Sequence, residues 1–177
     1  MMIKIATAEC FTHGTVGREI HAFSRGYPRT YAWTLDPKKF SLSLSAGLFL
    51  PTLTGVRSIL RIEPLPPVET LNDIKVYDQE SDEVMAVKMA EAIKTITGSD
   101  LGIGTTAGIG KGGIALVSDS IRLLSTTEVY ADLRSSDPAQ IHMRQESGIR
   151  KSLLLLERLL KGEFSSGEND AGVVKII

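Results

Sequence analysis

One stretch constrains this chain more than any other: a long helical pattern that runs directly into a strand, a glycine-rich loop and a second strand. Residues 80–98, ESDEVMAVKMAEAIKTITG, predict a helix. Ser81 is a natural N-cap, Asp82 and Glu83 suit the positive end, and Gly98 supplies the stop. Val84, Val87, Ala90, Glu91 and Ile96 fall near one face. The following SDLGIGTTAGIGKGGIALVSD predicts a strand at 100–106, a loop at 107–113 and a strand at 114–118. Strands alternating with helices imply a layered α/β domain, with a central mixed sheet flanked by helices.

The remaining segments fit that class. Residues 2–8 predict a short buried strand, and 14–25 a helix with Val16, Ile20 and Phe23 at helical spacing and Thr12 or Thr15 as caps. Gly26 and Pro28 break it. The aromatic, β-branched run 30–43 predicts a strand or hairpin edge, and 46–62, cut by Pro51 and Gly55, a short strand followed by a short helix. Three prolines make 63–69 a loop; 73–78 predicts a strand, and 120–134 one more strand with polar turns. Residues 137–161 predict a long helix capped by Asp137, with Pro138 in its first turn. The expected organisation is one domain over 1–161 and a loose tail over 162–177, whose last residues, 173–177, dock.

Composition excludes several function classes. A chain of 177 residues, 42% hydrophobic and 23% charged, suits one globular core. A net charge of -1 offers no basic face for nucleic acid. The apolar runs fall well below the ~18 residues that span a bilayer, and no leader pattern opens the chain, so the expected location is cytoplasmic. A single cysteine cannot form an internal disulfide and fits a reducing compartment. It also excludes a cysteine-built structural zinc site. His21 and His142 lack partners at metal-ligand spacing, so no metal is expected.

That cysteine sits in AECFTHG, residues 8–14, where a strand feeds a helix through a turn. In α/β proteins reactive groups collect at such places. Helix N-terminal amides favour a thiolate, and the thiolate is the nucleophile. The same amides can hold an oxyanion, and His13 can act as acid or base. The competing reading is a cysteine packed as a small hydrophobe. The second motif, GIGTTAGIGKGG at 102–113, carries six glycines in twelve residues. Successive loop amides form anion nests, with Lys111, Thr105 and Thr106 adding a charge and two hydroxyls. The order fails the P-loop pattern, and the loop leads to a strand rather than the helix a dinucleotide fingerprint needs. The competing reading is a glycine hairpin without a ligand.

ATAECFTHG followed by SDEVMAVKMAEAIKTITGSDLGIGTTAGIGKGG resembles an archaeal, methanogen-type family over residues 2–160. Its members include the F protein of the Hcg set, which serves biosynthesis of the iron-guanylylpyridinol (FeGP) cofactor of Fe-hydrogenase. A more distant likeness is to the competence/damage-inducible (CinA) C-terminal domain, the nicotinamide mononucleotide deamidases. There a serine stands in place of Cys10, a glycine in place of His13, and a proline at or beside Lys111. These departures favour sulfur chemistry over amide hydrolysis.

The closer resemblance implies a nucleotide-binding-like fold that takes guanylylpyridinol, a pyridinol nucleotide. Its carboxylate arrives as an adenylylated ester made by an adenylating partner enzyme, and Cys10 captures the acyl group as a thioester. Thr12 and His13 would assist Cys10. Glu9, Phe11, Gly14, Thr105, Thr106, Gly108, Gly110, Lys111, Gly112 and Gly113 would contact the ligand. No resident cofactor is implied, and a homodimer is expected. Two rival readings stand beside it: a deamidase-like hydrolase with cysteine replacing serine, and a non-catalytic pyridine-nucleotide binding protein.

Overall fold

The computed structural model describes residues 2–164 and 174–176. Its centre is a mixed sheet. β1 (Met2–Glu9) lies between β2 (Ser41–Phe49) and β5 (Leu101–Thr106), parallel to both. β7 (Gly113–Val117) and β8 (Arg122–Ser125) extend it antiparallel from β5, and β10 (Val174–Ile176) adds a short antiparallel edge on β8. The order is β10-β8-β7-β5-β1-β2. Of the tail, residues 165–173 lie outside the described residues, so the expected looseness falls largely there.

Alternating side chains divide between two layers, as the two-residue strand repeat requires. Ile5, Ile103, Ile114 and Leu116 meet α1 (Thr15–Arg25) and α4 (Pro138–Leu160). Ala6, Ala8 and Ala115 face α3 (Gln79–Thr97) on the other side. Here the strand glycines find their purpose. A Cβ on Gly102 or Gly104 would stand 2.0 Å from the carbonyl oxygens of Ala90 or Ala86, so α3 rests on bare β5 backbone. A Cβ on Gly113 would come within 2.5 Å of the Asp82 carbonyl.

This contact turns α3 away from the face expected above. Asp82, Met85, Ala86, Met89, Ala90 and Ile93 are buried, whereas Val84 and Ile96 are 43% and 51% exposed. Close approach puts Ala86 and Ala90 against the strand backbone, while Met85, Met89 and Ile93 pack into the apolar cluster beside them. Asp78, not Ser81, caps the helix, its carboxylate accepting from the Ser81 amide; Gly98 ends it in the left-handed conformation. On α4, Asp137 caps and Pro138 opens the first turn as expected.

The expected strand at 30–43 does not form. Residues 30–35 run as a covering loop whose amides bond to carboxylates instead of a neighbouring strand. Glu19 accepts from the Thr30 and Tyr31 amides, both at 3.1 Å; Glu157 accepts from the Thr34 and Leu35 amides and from the Tyr31 and Thr34 hydroxyls. β2 begins only at Ser41, and Ser45 is an extra residue in its register against β1. It ends before α2 (Leu53–Gly55), which continues as a π-helical turn over Val56–Leu60.

A hairpin of β3 (Glu69–Leu71) and β4 (Ile74–Val76) follows; β3 starts at the last residue of the expected proline loop, and β4 falls within the strand expected at 73–78. Its two turn residues, Asn72 and Asp73, both have positive φ, the requirement of a type I′ turn. Lys75, buried, donates through Nζ to the carbonyls of Leu50 and Pro51 and pins the hairpin to the end of β2. The region 120–134 holds two strands rather than one: β8, then β9 (Ala131–Asp132), which pairs with β6 (Ile109–Gly110) inside the glycine-rich loop.

Replacing Gly104 by Ala should cost about 3 kcal/mol or more, because both the helix and the strand backbone must give way. Gly26→Ala, where φ is +68° but nothing lies within 4 Å, should cost only about 1 kcal/mol. Urea unfolding of both variants checks the contrast; equal losses would contradict the close contact of α3 with β5.

Candidate active site

The turn after β1 is built by Glu9. Its buried carboxylate accepts from the Thr7 hydroxyl (2.8 Å), the Thr12 hydroxyl (2.6 Å), and the amides of Val16 (3.2 Å) and Gly17 (2.8 Å). Burial raises its pKa and these four bonds oppose the rise. A carboxylate at the N-terminus of α1 is where the helix favours negative charge. The cap position is Gly14, in the left-handed conformation, with no side-chain cap; neither Thr12 nor Thr15 serves as one. His13 also has positive φ, at 53°.

This arrangement decides where the thiol lies. The Cys10 amide donates to the Thr105 carbonyl (2.8 Å) and more weakly to its hydroxyl (3.3 Å). The Thr105 and Thr12 hydroxyls are 2.8 Å apart, completing a chain from β5 to Glu9. The first-turn amides of α1 are committed: Thr15 to the Thr12 carbonyl, Val16 and Gly17 to Glu9, and Arg18 to the Gly14 carbonyl. The His13 amide donates to the Cys10 carbonyl. Within the turn, the amides of Phe11, Thr12 and Gly14 have no acceptor among the described residues.

Cys10, 6% exposed, opens into a cavity of about 420 Å³. The walls come from four places. The turn gives Cys10, Phe11 and His13; the end of β2 gives Phe49 and Pro51; the β3–β4 hairpin gives Leu71 and Ile74; and Ala107, Leu133, Ile141, Arg144 and Gln145 close the far side. The lining is mostly apolar, with His13, Arg144 and Gln145 as the polar side chains. The His13 ring lies 4.9 Å from that of Phe49, and its partial burial lowers its pKa. No hydrogen bond joins the His13 ring to the thiol among the described residues.

The glycine-rich loop stands behind this cavity, with Ala107 as its contribution to the wall. Its amides bond within the chain: Gly108 to the Asp82 carboxylate (2.7 Å), Ile109 to the Tyr77 carbonyl (2.7 Å) and Lys111 to the Gln79 side chain (2.7 Å). A Cβ on Gly108 would meet Tyr77 backbone at 2.4 Å; Gly110 and Gly112 have φ of 128° and 73°. Thr106 donates to Asp82, and the Lys111 side chain is exposed. Of the residues singled out from sequence, Cys10, Phe11 and His13 line the cavity. Glu9, Thr12 and Thr105 form the buried network beneath it. Gly14 lines a neighbouring groove of about 390 Å³ beside α1.

Two buried charged residues that brace the glycine-rich loop escaped the sequence reading. Asp82 looked like an ordinary helix-start charge, yet it recurs in register with Met85, Ala86 and Met89, the buried stripe of α3. Arg144 occupies the corresponding stripe of α4 with Ser147, Gly148 and Ser152. Its guanidinium donates to the carbonyls of Gly108 (3.0 Å), Gly110 (2.9 Å), Ala131 (2.7 Å) and Ala107 (3.4 Å). For Asp82 the signal is a charge inside an apolar helical stripe; for Arg144 it is a charge in register with a stripe of small residues. Among the described residues no cluster of His, Cys, Asp and Glu is arranged to hold a metal ion, and no helix is long and apolar enough to cross a membrane.

Burial lifts the Asp82 pKa to about 7 against the bonds from Gly108 and Thr106. A carboxylate raised above its unfolded value costs stability as pH rises between the two, from about 4 to about 7. Asn keeps acceptor and donor at this position without the charge. The wild type should therefore lose stability relative to Asp82→Asn across that window and stay offset above it, measured by urea unfolding at a series of pH values.

Comparison with known proteins identifies the family. A profile of the FeGP cofactor biosynthesis protein HcgF matches residues 2–160. A UPF0254 protein of Methanothermobacter thermautotrophicus is 57% identical over 160 residues, covering 90% of this chain and all of the relative. UPF0254 proteins of Methanocorpusculum labreanum and Methanopyrus kandleri are 50% and 44% identical, covering 95% and 92% of this chain and 98% and 91% of their own lengths. With the match running from the first strand to the end of α4, the chain belongs to the HcgF family of FeGP cofactor biosynthesis proteins.

Proposed function

We propose that the protein binds guanylylpyridinol and captures its activated carboxyl group as a thioester on Cys10, an acyl-transfer step of FeGP cofactor biosynthesis. The observation that carries this reading is the single thiol of the chain at the floor of a mostly apolar cavity large enough for a small aromatic ligand. The resemblance supplies the substrate; the cavity and the family membership support it.

The step balances as an acyl substitution. The Cys10 sulfur attacks the acyl carbon of the adenylylated carboxylate, the C–S bond forms, the C–O bond to the phosphate breaks, and AMP leaves with the bonding pair. The thiol proton leaves the sulfur for His13, whose lowered pKa keeps the imidazole neutral near pH 7. The open amides of Phe11 and Thr12 are the donors nearest in sequence to the developing oxyanion. Glu9, Thr12 and Thr105 act from beneath by holding the turn.

Intact mass spectrometry after exposure to adenylylated guanylylpyridinol tests this reading. The wild type should gain one acyl group with loss of AMP, and Cys10→Ala none; an adduct on both, or on neither, overturns it. His13→Ala should slow adduct formation about 100-fold with the final yield unchanged, as for a lost general base. Ammonia release from nicotinamide mononucleotide at a catalytic rate would instead identify a deamidase. A Cys10 inert to iodoacetamide would favour simple binding.

A further inference from the structure

Arg144 is a buried cation without an ion-pair partner. It is 1% exposed, and no carboxylate of the described residues lies within ion-pair distance of it. Four backbone carbonyls hold the terminal nitrogens, and Nε, also buried, has no hydrogen-bond partner. A buried charge is costly unless it is compensated, and carbonyl dipoles compensate less than an anion does. Arg144 and Cys10 line the same cavity. Asp82 cannot serve as a full counter-ion: burial holds much of it protonated near neutral pH, and its oxygens are taken by Thr106 and Gly108.

We propose that Arg144 is a positioning residue whose fixed charge, locked by the glycine-rich loop and β9, stabilises negative charge on the Cys10 sulfur. This rests on the reading of Cys10 as a nucleophile. It gives the loop a role distinct from ligand binding: the carbonyls of Ala107, Gly108 and Gly110 aim the guanidinium.

The other ionisable groups near the thiol divide by sign. Glu9, adjacent in the chain, is a carboxyl group whose pKa burial raises, with its oxygens shared among four donors. His13 on the same turn is neutral above its lowered pKa. From β4, Lys75 is a cation held by the Leu50 and Pro51 carbonyls. Tyr77, whose hydroxyl donates to the Leu65 carbonyl, stays protonated because burial raises its pKa. From α3, Asp82 opposes Arg144 once it ionises. Arg144, from α4, is the cation that shares the cavity wall with Cys10.

The test is the pH profile of Cys10 alkylation by iodoacetamide, which needs no nucleotide and so stands or falls apart from the guanylylpyridinol reading. In Arg144→Gln the midpoint should move up by about one pH unit, a roughly tenfold slower reaction at pH 7. Arg144→Lys keeps the charge while losing carbonyl bonds, and should restore most of the rate. Asp82→Asn should move the midpoint down, since it removes the charge opposing Arg144. If Arg144→Gln fails to fold, as judged by circular dichroism, the Asp82→Asn and Arg144→Lys arms decide. An unmoved midpoint in Asp82→Asn, or an Arg144→Lys midpoint raised by about a full pH unit over wild type, overturns the proposal. Profiles that coincide in folded wild type and Arg144→Gln do the same.

Discussion

Helix α3 lies on the bare backbone of β5 and β7, and most of what surrounds Cys10 follows from that contact. Gly102, Gly104 and Gly113 let the helix come down to the sheet, with alanines rather than larger side chains between. At this separation Asp82 reaches past the end of β5 and takes the Gly108 amide and Thr106 hydroxyl. The start of the glycine-rich loop is thereby fixed, its carbonyls turn toward α4, and Arg144 closes on them. A packing contact between one helix and two strands thus helps set the far wall of a cavity at the ends of β1, β2 and β5.

The near wall obeys a second buried carboxylate with the opposite role. Glu9 gathers amides and hydroxyls from one short turn, so the polypeptide can leave β1, set a cysteine on a cavity wall and enter α1 with most of the helix-start amides satisfied. The helix N-terminus that might have served a ligand is spent on Glu9. The two carboxylates therefore act as internal braces: one shapes the turn that carries the thiol, the other the loop that carries its charged neighbour.

The strand–turn–helix of residues 2–25, the helix of 137–161 and the strand–loop–strand after Gly98 were legible because each has strong local signals: apolar period, cap and glycine stop. The location of Cys10 at a strand-to-helix turn was legible for the same reason. What was hidden depends on long-range partners. The aromatic run at 30–35 has strand composition, but Glu19 and Glu157 satisfy its amides from distant helices. The glycines of 102–113 gave the composition of an anion nest; they serve backbone packing, which sequence spacing does not distinguish from ligand approach. Asp82 and Arg144 were missed because a charged side chain on a helix is ordinarily solvated, and only the partners in β5 and the loop make burial tolerable.

The irregularity at Ser45 has a consequence for the whole molecule's social behaviour. β2 is the outer strand of the sheet, nine residues long and bonded on one side by β1. A flat edge of that length is a template on which another extended chain can add. The extra residue interrupts the ladder partway and bends the strand, so the free row of amides and carbonyls is split into two shorter pieces. An edge split in this way is a poorer template for the sideways addition of another chain than a flat edge of the same length.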